Sequence, residues 1–217
     1  MTTQQKLITI FKKLRNTFGK QNWWPGDTQL EVIIGAILTQ NTAWKNVEKA
    51  IINMKQHGIL DIKKLYTIKT DKLAQIIKSA GFFNIKSQRI KAFMQFIYEE
   101  CGGTIEHLEH MDTNRVRELL LSVHGIGYET ADSILLYALN KPVFVVDAYT
   151  KRFLKNHNLY NGIYSYAEIQ KYFMDNLPHN IYIFNEFHAL IVFLCKTYCK
   201  KIPLCESCPL KNERKHP

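Results

Sequence analysis

The sequence predicts an all-α protein, and three observations lead to that prediction. Apolar residues recur mostly at helical spacing, as in residues 30–38, which read as a helix buried on most sides. Residues that favour helix N-termini stand before several of these segments. The clearest strand-like run, residues 143–146 (VFVV), has only four residues, so we interpret it as an extended connector. Helices packed on helices are therefore expected.

The predicted helices begin at recognisable caps. Thr28 and Glu31 form the Thr-x-x-Glu pattern of a capping box, with Asp27 as a second candidate cap. Asp112 and Thr113 are the corresponding candidates further along the chain. The helical segments predicted from apolar spacing are 30–38, 47–54, 71–79, 86–100, 113–122, 129–139, 148–157, 165–176 and 181–196.

The charge of the chain favours a polyanionic partner. Lys and Arg number 29 against 19 Asp and Glu, a net charge of +10, and 46% of the residues are hydrophobic, enough for a packed interior. Basic side chains release counterions from phosphates, which indicates nucleic acid. A soluble basic protein without such a partner is the alternative that charge alone leaves open. Because no long apolar stretch or signal-peptide pattern is present, a cytoplasmic monomer is expected.

Gly125 and Gly127 lie between two amphipathic helical segments, in the run His124-Gly125-Ile126-Gly127. Two glycines let the backbone turn sharply and approach another backbone closely. The amides that begin the second helix then face outward and can bind a phosphate without a basic side chain. An ordinary turn between helices is the alternative, but the basic chain favours phosphate binding. His124 is expected to face solvent.

Asp147 follows the extended connector and precedes a predicted helix. Asp is a favoured N-cap at such a position, and a capping carboxylate is ionised and held in place. Cleavage of an N-glycosidic bond develops positive charge on the sugar, which a fixed anion beside it stabilises. The same anion can orient a water molecule. The capping and catalytic interpretations are therefore compatible.

Four segments together resemble the helix–hairpin–helix DNA glycosylases related to endonuclease III. The hairpin is followed twenty residues later by Val-Val-Asp at Asp147. Residues 37–42 (ILTQNT) are similar to the end of an early helix in that family, whose Gln lies at the DNA lesion. Residues 80–86 (AGFFNIK) are similar to the family's intercalation loop. The four matches occur in order and cover nearly the whole chain.

The resemblance implies two helical lobes. A six-helix barrel would span residues 23–135 and end with the hairpin, and residues 1–22 with 136–217 would form the second lobe. Double-stranded DNA would bind in the cleft between them, with the damaged nucleotide flipped into that cleft.

The resemblance also implies roles for individual residues. Asp147 would be the catalytic aspartate, and Gln40 and Phe82 would fill the gap left in the base stack. Packing in the core is the alternative for Phe82. The backbone phosphate would be bound at the hairpin by Gly125, Ile126 and Gly127.

Glu129 is an informative departure from the family pattern. Bifunctional members carry a Lys two residues after the second hairpin Gly, and that Lys forms a Schiff base with the sugar. Here the position is Glu129, and a carboxylate cannot form an imine; nor can its neighbours Tyr128 and Thr130. The sequence therefore predicts a monofunctional glycosylase that uses water as the nucleophile.

All three tryptophans lie near the expected entrance of the base pocket. Their rings favour a cationic base through cation–π attraction of about 0.5–2 kcal/mol per contact, although core packing is the alternative for each. Together with the segment after the hairpin, they look most like the branch that removes 3-methyladenine, an alkylated purine. The predicted pocket residues are Trp23, Trp24, Pro25, Trp44 and Glu129.

Other functions stay open at this point. Within the same family, the substrate could instead be an oxidised pyrimidine or a mismatched base. A protein of a different class, which binds DNA through the hairpin without catalysis, also fits the hairpin. A metal-dependent nuclease fits less well, because no His, Asp and Glu cluster at ligand spacing is found outside the cysteines.

Four of the five cysteines crowd into the C-terminal part of the chain, which indicates a metal site: Cys195, Cys199, Cys205 and Cys208. The family often holds a four-iron cluster with the spacing Cys-x6-Cys-x2-Cys-x5-Cys. Here the first gap is one residue shorter and the fourth position falls near Arg214, so Cys195 is expected to supply the missing thiolate. Zinc held by four thiolates, or no metal, are the alternatives. Cys101 stands apart and is expected to be an ordinary thiol.

Overall fold

The computed structural model describes residues 1–213, and the all-α prediction is confirmed within them, since they contain helices and loops but no strand. Arg214, where the family's fourth cysteine would fall, lies outside the described residues. No helix in the described part of the chain has the length and apolarity that crossing a membrane requires. The helices are α1 (Thr3–Phe18), α2 (Gln29–Thr39), α3 (Trp44–Gln56), α4 (Ile62–Thr67), α5 (Thr70–Ile76), α6 (Phe83–Glu100), α7 (Glu106–Glu109), α8 (Thr113–Ser122), α9 (Tyr128–Ser133), α10 (Ala148–Asn156), α11 (Tyr166–Asn176) and α12 (Ile181–Thr197).

Contacts divide the chain into two compact units. Met1–Trp23 and Pro142–Pro217 form one, which we call the terminal unit, and Trp24–Lys141 form the other, the central unit. In the central unit, α2 packs against α3, α6 and α9. In the terminal unit, α12 packs against α10 and α1. In the central unit, α6 also packs against α4 and α5, and in the terminal unit α11 packs against α1.

Helix α2 is the centre of the central unit. Every residue from 30 to 38 is buried, as the continuous apolar pattern predicted. The Thr28 hydroxyl accepts a hydrogen bond from the Glu31 amide at 3.2 Å, so Thr28 is the N-cap. The reciprocal bond of a capping box is shifted by one residue, because the Glu31 carboxylate accepts from the Asp27 amide at 3.0 Å. A buried carboxylate therefore holds the chain where it enters α2.

The segment after the hairpin differs from the single helix predicted over 129–139. Helix α9 ends at Ser133, and the chain continues as one π-helical turn over Ile134–Ala138. In that turn the Leu139 amide donates to the Ile134 carbonyl five residues earlier, at 3.0 Å. The apolar side chains stay buried where the α-helix gives way to the π-helical turn. Apolar spacing alone therefore could not reveal that turn.

Residues 143–146 form a buried, extended connector, in agreement with the sequence interpretation. All four side chains are buried, and the Phe144 ring stacks on Phe173 at 4.0 Å between centroids. The Gln170 side-chain amide donates to the Phe144 carbonyl at 2.8 Å, so a side chain supplies a partner for the buried backbone. The connector thus leads to Asp147 along a firmly packed path.

Candidate functional site

The hairpin joins α8 to α9 in the central unit. Gly125 has φ +84°, a left-handed conformation that favours glycine, whereas a Cβ on Gly127 would meet no other atom within 4 Å. Arg117 on α8 forms two hydrogen bonds to the buried Asp132 carboxylate on α9, at 2.6 and 2.9 Å. Such a two-point ion pair fixes the angle between the helices. The backbone around Gly127 is therefore open on a rigid support.

Gln40 is bound to the hairpin through its side chain. Its Nε2 donates to the Gly125 carbonyl at 3.0 Å and to the Thr130 hydroxyl at 2.8 Å. Its Oε1 accepts a hydrogen bond from Arg89 on α6. The structure thus joins three segments of the central unit that the sequence analysis treated separately, and it adds Arg89, which that analysis did not identify.

Lys86 is a buried cation at the start of α6. Its ammonium donates to the carbonyls of Leu38 and Ala80, each at 2.8 Å, and to the Thr42 hydroxyl. Burial, with a smaller contribution from Arg89, lowers the pKa of Lys86 to about 8. Leu38 and Thr42 flank Gln40 in the chain, and Ala80 precedes Phe82, so Lys86 links the Gln40 segment to the loop before α6.

Phe82 lies at the tip of the loop before α6. Its side chain is 63% exposed, so the alternative interpretation as a core residue is wrong. Its backbone is left-handed, with φ +46°, which is unusual for an aromatic residue. The left-handed backbone beneath a large exposed ring makes Phe82 a candidate for a functional contact.

Two of the three tryptophans contact each other in the central unit. The Trp24 and Trp44 rings meet edge to face at 5.4 Å, and Trp24 also lies 5.3 Å from the Tyr137 ring. Trp24 packs over Gly35 of α2, where a Cβ would come within 2.9 Å of the indole nitrogen. Trp23 belongs to the terminal unit. The expected pocket residues therefore do not all belong to one unit.

Trp44 and Pro25 line an open cavity of the central unit together with carboxylates. Its acidic lining residues are Asp27, Glu31 and Glu48. Lys55 forms ion pairs with Asp27 at 2.7 Å and Glu31 at 2.8 Å. Glu129, the remaining expected pocket residue, is exposed in the first turn of α9.

Asp147 is the N-cap of α10 in the terminal unit, as the sequence predicted. Its Oδ1 accepts a hydrogen bond from the Thr150 amide at 2.7 Å, and its Oδ2 lies 3.5 Å from His188 Nε2 on α12. The side chain is 13% exposed. Burial raises the pKa of Asp147, but His188 and Thr150 outweigh it and hold the pKa below its usual value. A buried carboxylate is thus kept ionised.

Three of the clustered cysteines, Cys199, Cys205 and Cys208, line one cavity of the terminal unit. His157 lines it too, and its Nδ1 is buried without a hydrogen-bond partner in the described part of the chain. Cys195 is not among the residues that line this cavity; its thiol donates to the Tyr149 carbonyl at 3.5 Å and also contacts Cys199.

The Cys199 thiol is the one best suited to act as a thiolate. A hydrogen bond from Cys195 lowers the pKa of Cys199, and His157 and Asn156 add to the effect. The Asn156 amide donates to Cys199 Sγ at 3.2 Å. Thiolates are the ligands of zinc and of iron–sulfur clusters, so the chemistry of the donor set fits such a group.

The side chains of residues 1–213 do not by themselves form a metal centre. No three His, Cys, Asp or Glu side chains there lie close enough together to hold a metal ion. The thiol chemistry is therefore the observation that points to a metal group, and it fits zinc as well as an iron–sulfur cluster.

Comparison with known proteins identifies the family. The family model described as "HhH-GPD superfamily base excision DNA repair protein" matches residues 34–179, which include the hairpin and Asp147. The chain belongs to the HhH-GPD superfamily. It is 48% identical to a Methanocaldococcus jannaschii protein named "Putative DNA repair glycosylase MJ1434", over 96% of this chain and 95% of that one.

Two solved structures extend the comparison. The 3-methyladenine DNA glycosylase MagIII of H. pylori, bound to 1,N6-ethenoadenine, has a TM-score of 0.77 and 30% identity, covering 88% of this chain and 96% of that one. A non-covalent endonuclease III–DNA complex has a TM-score of 0.84 at 20% identity, covering 99% of this chain and 96% of that one. The second likeness shows that this HhH-GPD protein has the endonuclease III fold.

Several polar residues that contact the candidate residues within each unit of this HhH-GPD protein were not predicted from the sequence. Lys86 and Arg89 lie on α6, and Lys86 and His188 are fully or almost fully buried. A signal for two of them was present: Lys86 interrupts the apolar face that Ile90 continues four residues later, and His188 stands within a nearly continuous apolar run. Which group each would face could not be read from that signal.

Proposed function

We propose that this HhH-GPD protein is a monofunctional DNA glycosylase that hydrolyses the N-glycosidic bond of a flipped, damaged base. The observation that carries the proposal is Asp147, a carboxylate that is almost buried yet held ionised by His188 and the Thr150 amide. An enzyme that must stabilise positive charge on a sugar needs such a fixed anion, whereas a module that only binds DNA does not.

The reaction follows from the properties of that carboxylate. As the bond between the base and C1′ breaks, positive charge develops on the sugar, and Asp147 stabilises it across a short distance in a water-poor site. Asp147 also orients the water that adds to C1′. Glu129 stands where bifunctional relatives have lysine, so no imine forms and the product is an intact strand with an abasic site.

Binding to double-stranded DNA is assigned to the central unit. The exposed Gly127 amide binds a backbone phosphate on a rigid pair of helices. The Ile126 amide donates to the Val123 carbonyl at 3.1 Å, so Ile126 contributes by shaping the turn. Phe82 and Gln40 occupy the space that the flipped nucleotide leaves. The exposed Phe82 ring and the network that fixes Gln40 support these roles. The protein acts as a monomer.

The proposed substrate is an alkylated purine such as 3-methyladenine. Support comes from the likeness to the H. pylori 3-methyladenine glycosylase and from the contacting pair Trp24 and Trp44. A cationic base is attracted by such electron-rich rings. Trp23, Pro25 and Glu129 are the other residues to which we assign a role in base recognition. The competing substrate class is an oxidised pyrimidine or a mismatched base, as expected of endonuclease III relatives. The experiment below distinguishes the two classes.

Excision assays on a panel of duplexes test the proposal. Each duplex carries one lesion: 3-methyladenine, 1,N6-ethenoadenine, an oxidised pyrimidine or a mismatched thymine. We expect release of the alkylated purines by the wild type and a loss of at least about a hundredfold for Asp147→Asn, which removes the negative charge while keeping the shape. Equal excision by both proteins, or no excision of any lesion, would reject the enzymatic role.

We also propose that the cavity lined by Cys199, Cys205 and Cys208 holds a four-iron cluster, with Cys195 as the remaining thiolate. The lowered pKa of Cys199 favours a thiolate and so supports a metal group, with zinc as the alternative to the cluster. When bound, the group would tie the C-terminal loop to α10 and α12. Its role is structural, and no step of base removal passes through it.

A further inference from the structure

We infer that His188 is a positioning residue for base removal: it donates its Nε2–H to Asp147 and thereby sets the orientation of the carboxylate. The inference rests on the proposed function, since it assigns a role relative to the proposed catalytic residue. It extends the catalytic machinery to α12, a helix that the sequence analysis linked only to the cysteines.

The two carboxylate oxygens of Asp147 are engaged from two different helices. Oδ1 accepts the Thr150 amide of α10 at 2.7 Å, whereas Oδ2 faces His188 Nε2 of α12 at 3.5 Å. The first contact is made by the backbone and exists in any N-cap. Only the second depends on a side chain from elsewhere in the terminal unit. The His188 contact is long for a hydrogen bond, but it restrains the oxygen that the Thr150 amide leaves without a partner from α10.

The His188 ring itself has little freedom. It is buried, and the Phe144 ring meets it edge on at 6.4 Å with an interplanar angle of 85°. Phe144 is held in turn by the stack with Phe173 at 4.0 Å. The connector that leads to Asp147 therefore also forms the wall against which His188 packs. A partner fixed in this way needs no rearrangement when charge develops on the sugar.

Of the groups that lower the pKa of Asp147, His188 is the one whose contribution a side-chain substitution can remove. Burial raises the pKa of Asp147, and the groups that oppose it are His188 on α12 and Thr150 on α10. On α11, the Tyr166 hydroxyl accepts from the Val146 amide at 3.4 Å, next to Asp147 in the chain. Replacing His188 leaves the Thr150 and Tyr166 contacts in place. The pKa of Asp147 should then rise, and activity should disappear at a higher pH on the acid side.

The test compares His188→Ala, His188→Gln and a control, His179→Gln, an exposed histidine of the same unit. Single-turnover excision of the best lesion is measured from pH 4.5 to 8. We expect His188→Ala to be slower by at least about tenfold at pH 7 with unchanged DNA affinity, and its acid limb to move to higher pH. His188→Gln keeps a donor and should recover much of the rate at pH 7 while retaining the shifted acid limb.

A second measurement does not depend on activity. The Asp147 carboxyl carbon is followed by 13C NMR in the free protein, with Asp147→Asn assigning the signal. We expect its titration midpoint to rise in His188→Gln and to stay unchanged in His179→Gln. This readout also decides the question if His188→Ala does not fold.

The outcomes separate the two proposals. If the wild type excises no lesion, the proposed function fails, while a shifted midpoint would still establish the contact between His188 and Asp147. If the wild type is active but His188→Gln matches His179→Gln in rate, acid limb and titration midpoint, the positioning role is wrong and the proposed function stands.

Discussion

The side chain of Arg89 lies across Gly125 so closely that a Cβ on that glycine would come within 2.7 Å of Arg89 Cδ and Nε. The same guanidinium donates a hydrogen bond to Gln40 Oε1, and Gln40 Nε2 donates to the Gly125 carbonyl at 3.0 Å. Gly125 is therefore required twice, for its left-handed backbone and for the space that Arg89 occupies. One glycine thus connects the turn proposed to bind phosphate to Gln40, which is proposed to enter the base stack.

Gly125→Ala should lower both stability and DNA binding. A side chain at φ +84° is strained, and it would push Arg89 away from Gln40. We expect a loss of about 1–3 kcal/mol in the free energy of unfolding, measured by urea titration. Gly127→Ala is the matched stability control, because φ there is −96° and no atom lies within 4 Å of the added Cβ. Equal losses in the two variants would contradict the proposed packing of Arg89.

Lys86→Met should destabilise the protein by about 1–3 kcal/mol, because buried carbonyls lose their ammonium partner. The pH dependence has a definite sign. The pKa of Lys86 is about 8 when folded and 10.5 as a free side chain. Between these values the unfolded chain binds more protons, so this group increases stability as the pH rises.

The measurement is the free energy of unfolding of the wild type and Lys86→Met at pH 7.5, 8.5 and 9.5. We expect the advantage of the wild type to grow across this range. An advantage that shrinks with rising pH would mean that the pKa of Lys86 is raised, and not lowered, by the fold. Lys91→Met, which removes a less buried lysine of the same helix, is the comparison variant.

Phe82→Ala should leave stability unchanged within about 0.5 kcal/mol but weaken excision strongly. The ring is 63% exposed, so its loss removes little packing. Its proposed role in the base stack would be lost completely. Phe82→Gly also removes the ring but relieves the left-handed backbone, so it should be slightly more stable than Phe82→Ala. Ile85→Ala, three residues further on and 48% exposed, is the control. A similar excision defect in that control would reject a specific role for Phe82.

The wild-type protein should release a base without forming a covalent complex with DNA. Borohydride reduces an imine between a lysine and the abasic sugar, and Glu129 offers no amine at the position where bifunctional relatives react. We expect no trapped complex on gels for the wild type, and trapping above that background for Glu129→Lys. Strong trapping by the wild type would show that another lysine attacks the sugar.

Cys205→Ser should lower bound iron and bleach a broad visible absorption band in protein purified without oxygen. Cys101→Ser is the control, because Cys101 is a buried thiol of the central unit whose pKa burial raises. Cys195→Ser tests the proposed fourth thiolate and should resemble Cys205→Ser. If the wild-type protein is colourless and contains one zinc per chain, the site holds zinc and the proposed cluster is wrong.

Local patterns predicted most of the longer helices, but not the short helices α4 and α7 or the π-helical turn after α9. Thr28, Asp112 and Asp147 cap helices as predicted, because N-capping depends on a side chain and amides two or three residues away. The hairpin follows from the same kind of local rule, since only glycine adopts its backbone easily. Relations that span a few residues can be read from the order of the amino acids.

The tertiary structure alone decided which distant groups meet. Gln40 and Arg89 are 49 residues apart in the chain, and Asp147 and His188 are on different helices. Helical periodicity predicts which face of a helix is buried but not which neighbour that face meets. Polar residues such as Lys86 and His188 therefore read as exceptions to an apolar pattern. Packing brought their partners within reach, and burial made those contacts strong enough to orient a carboxylate or hold two loops together.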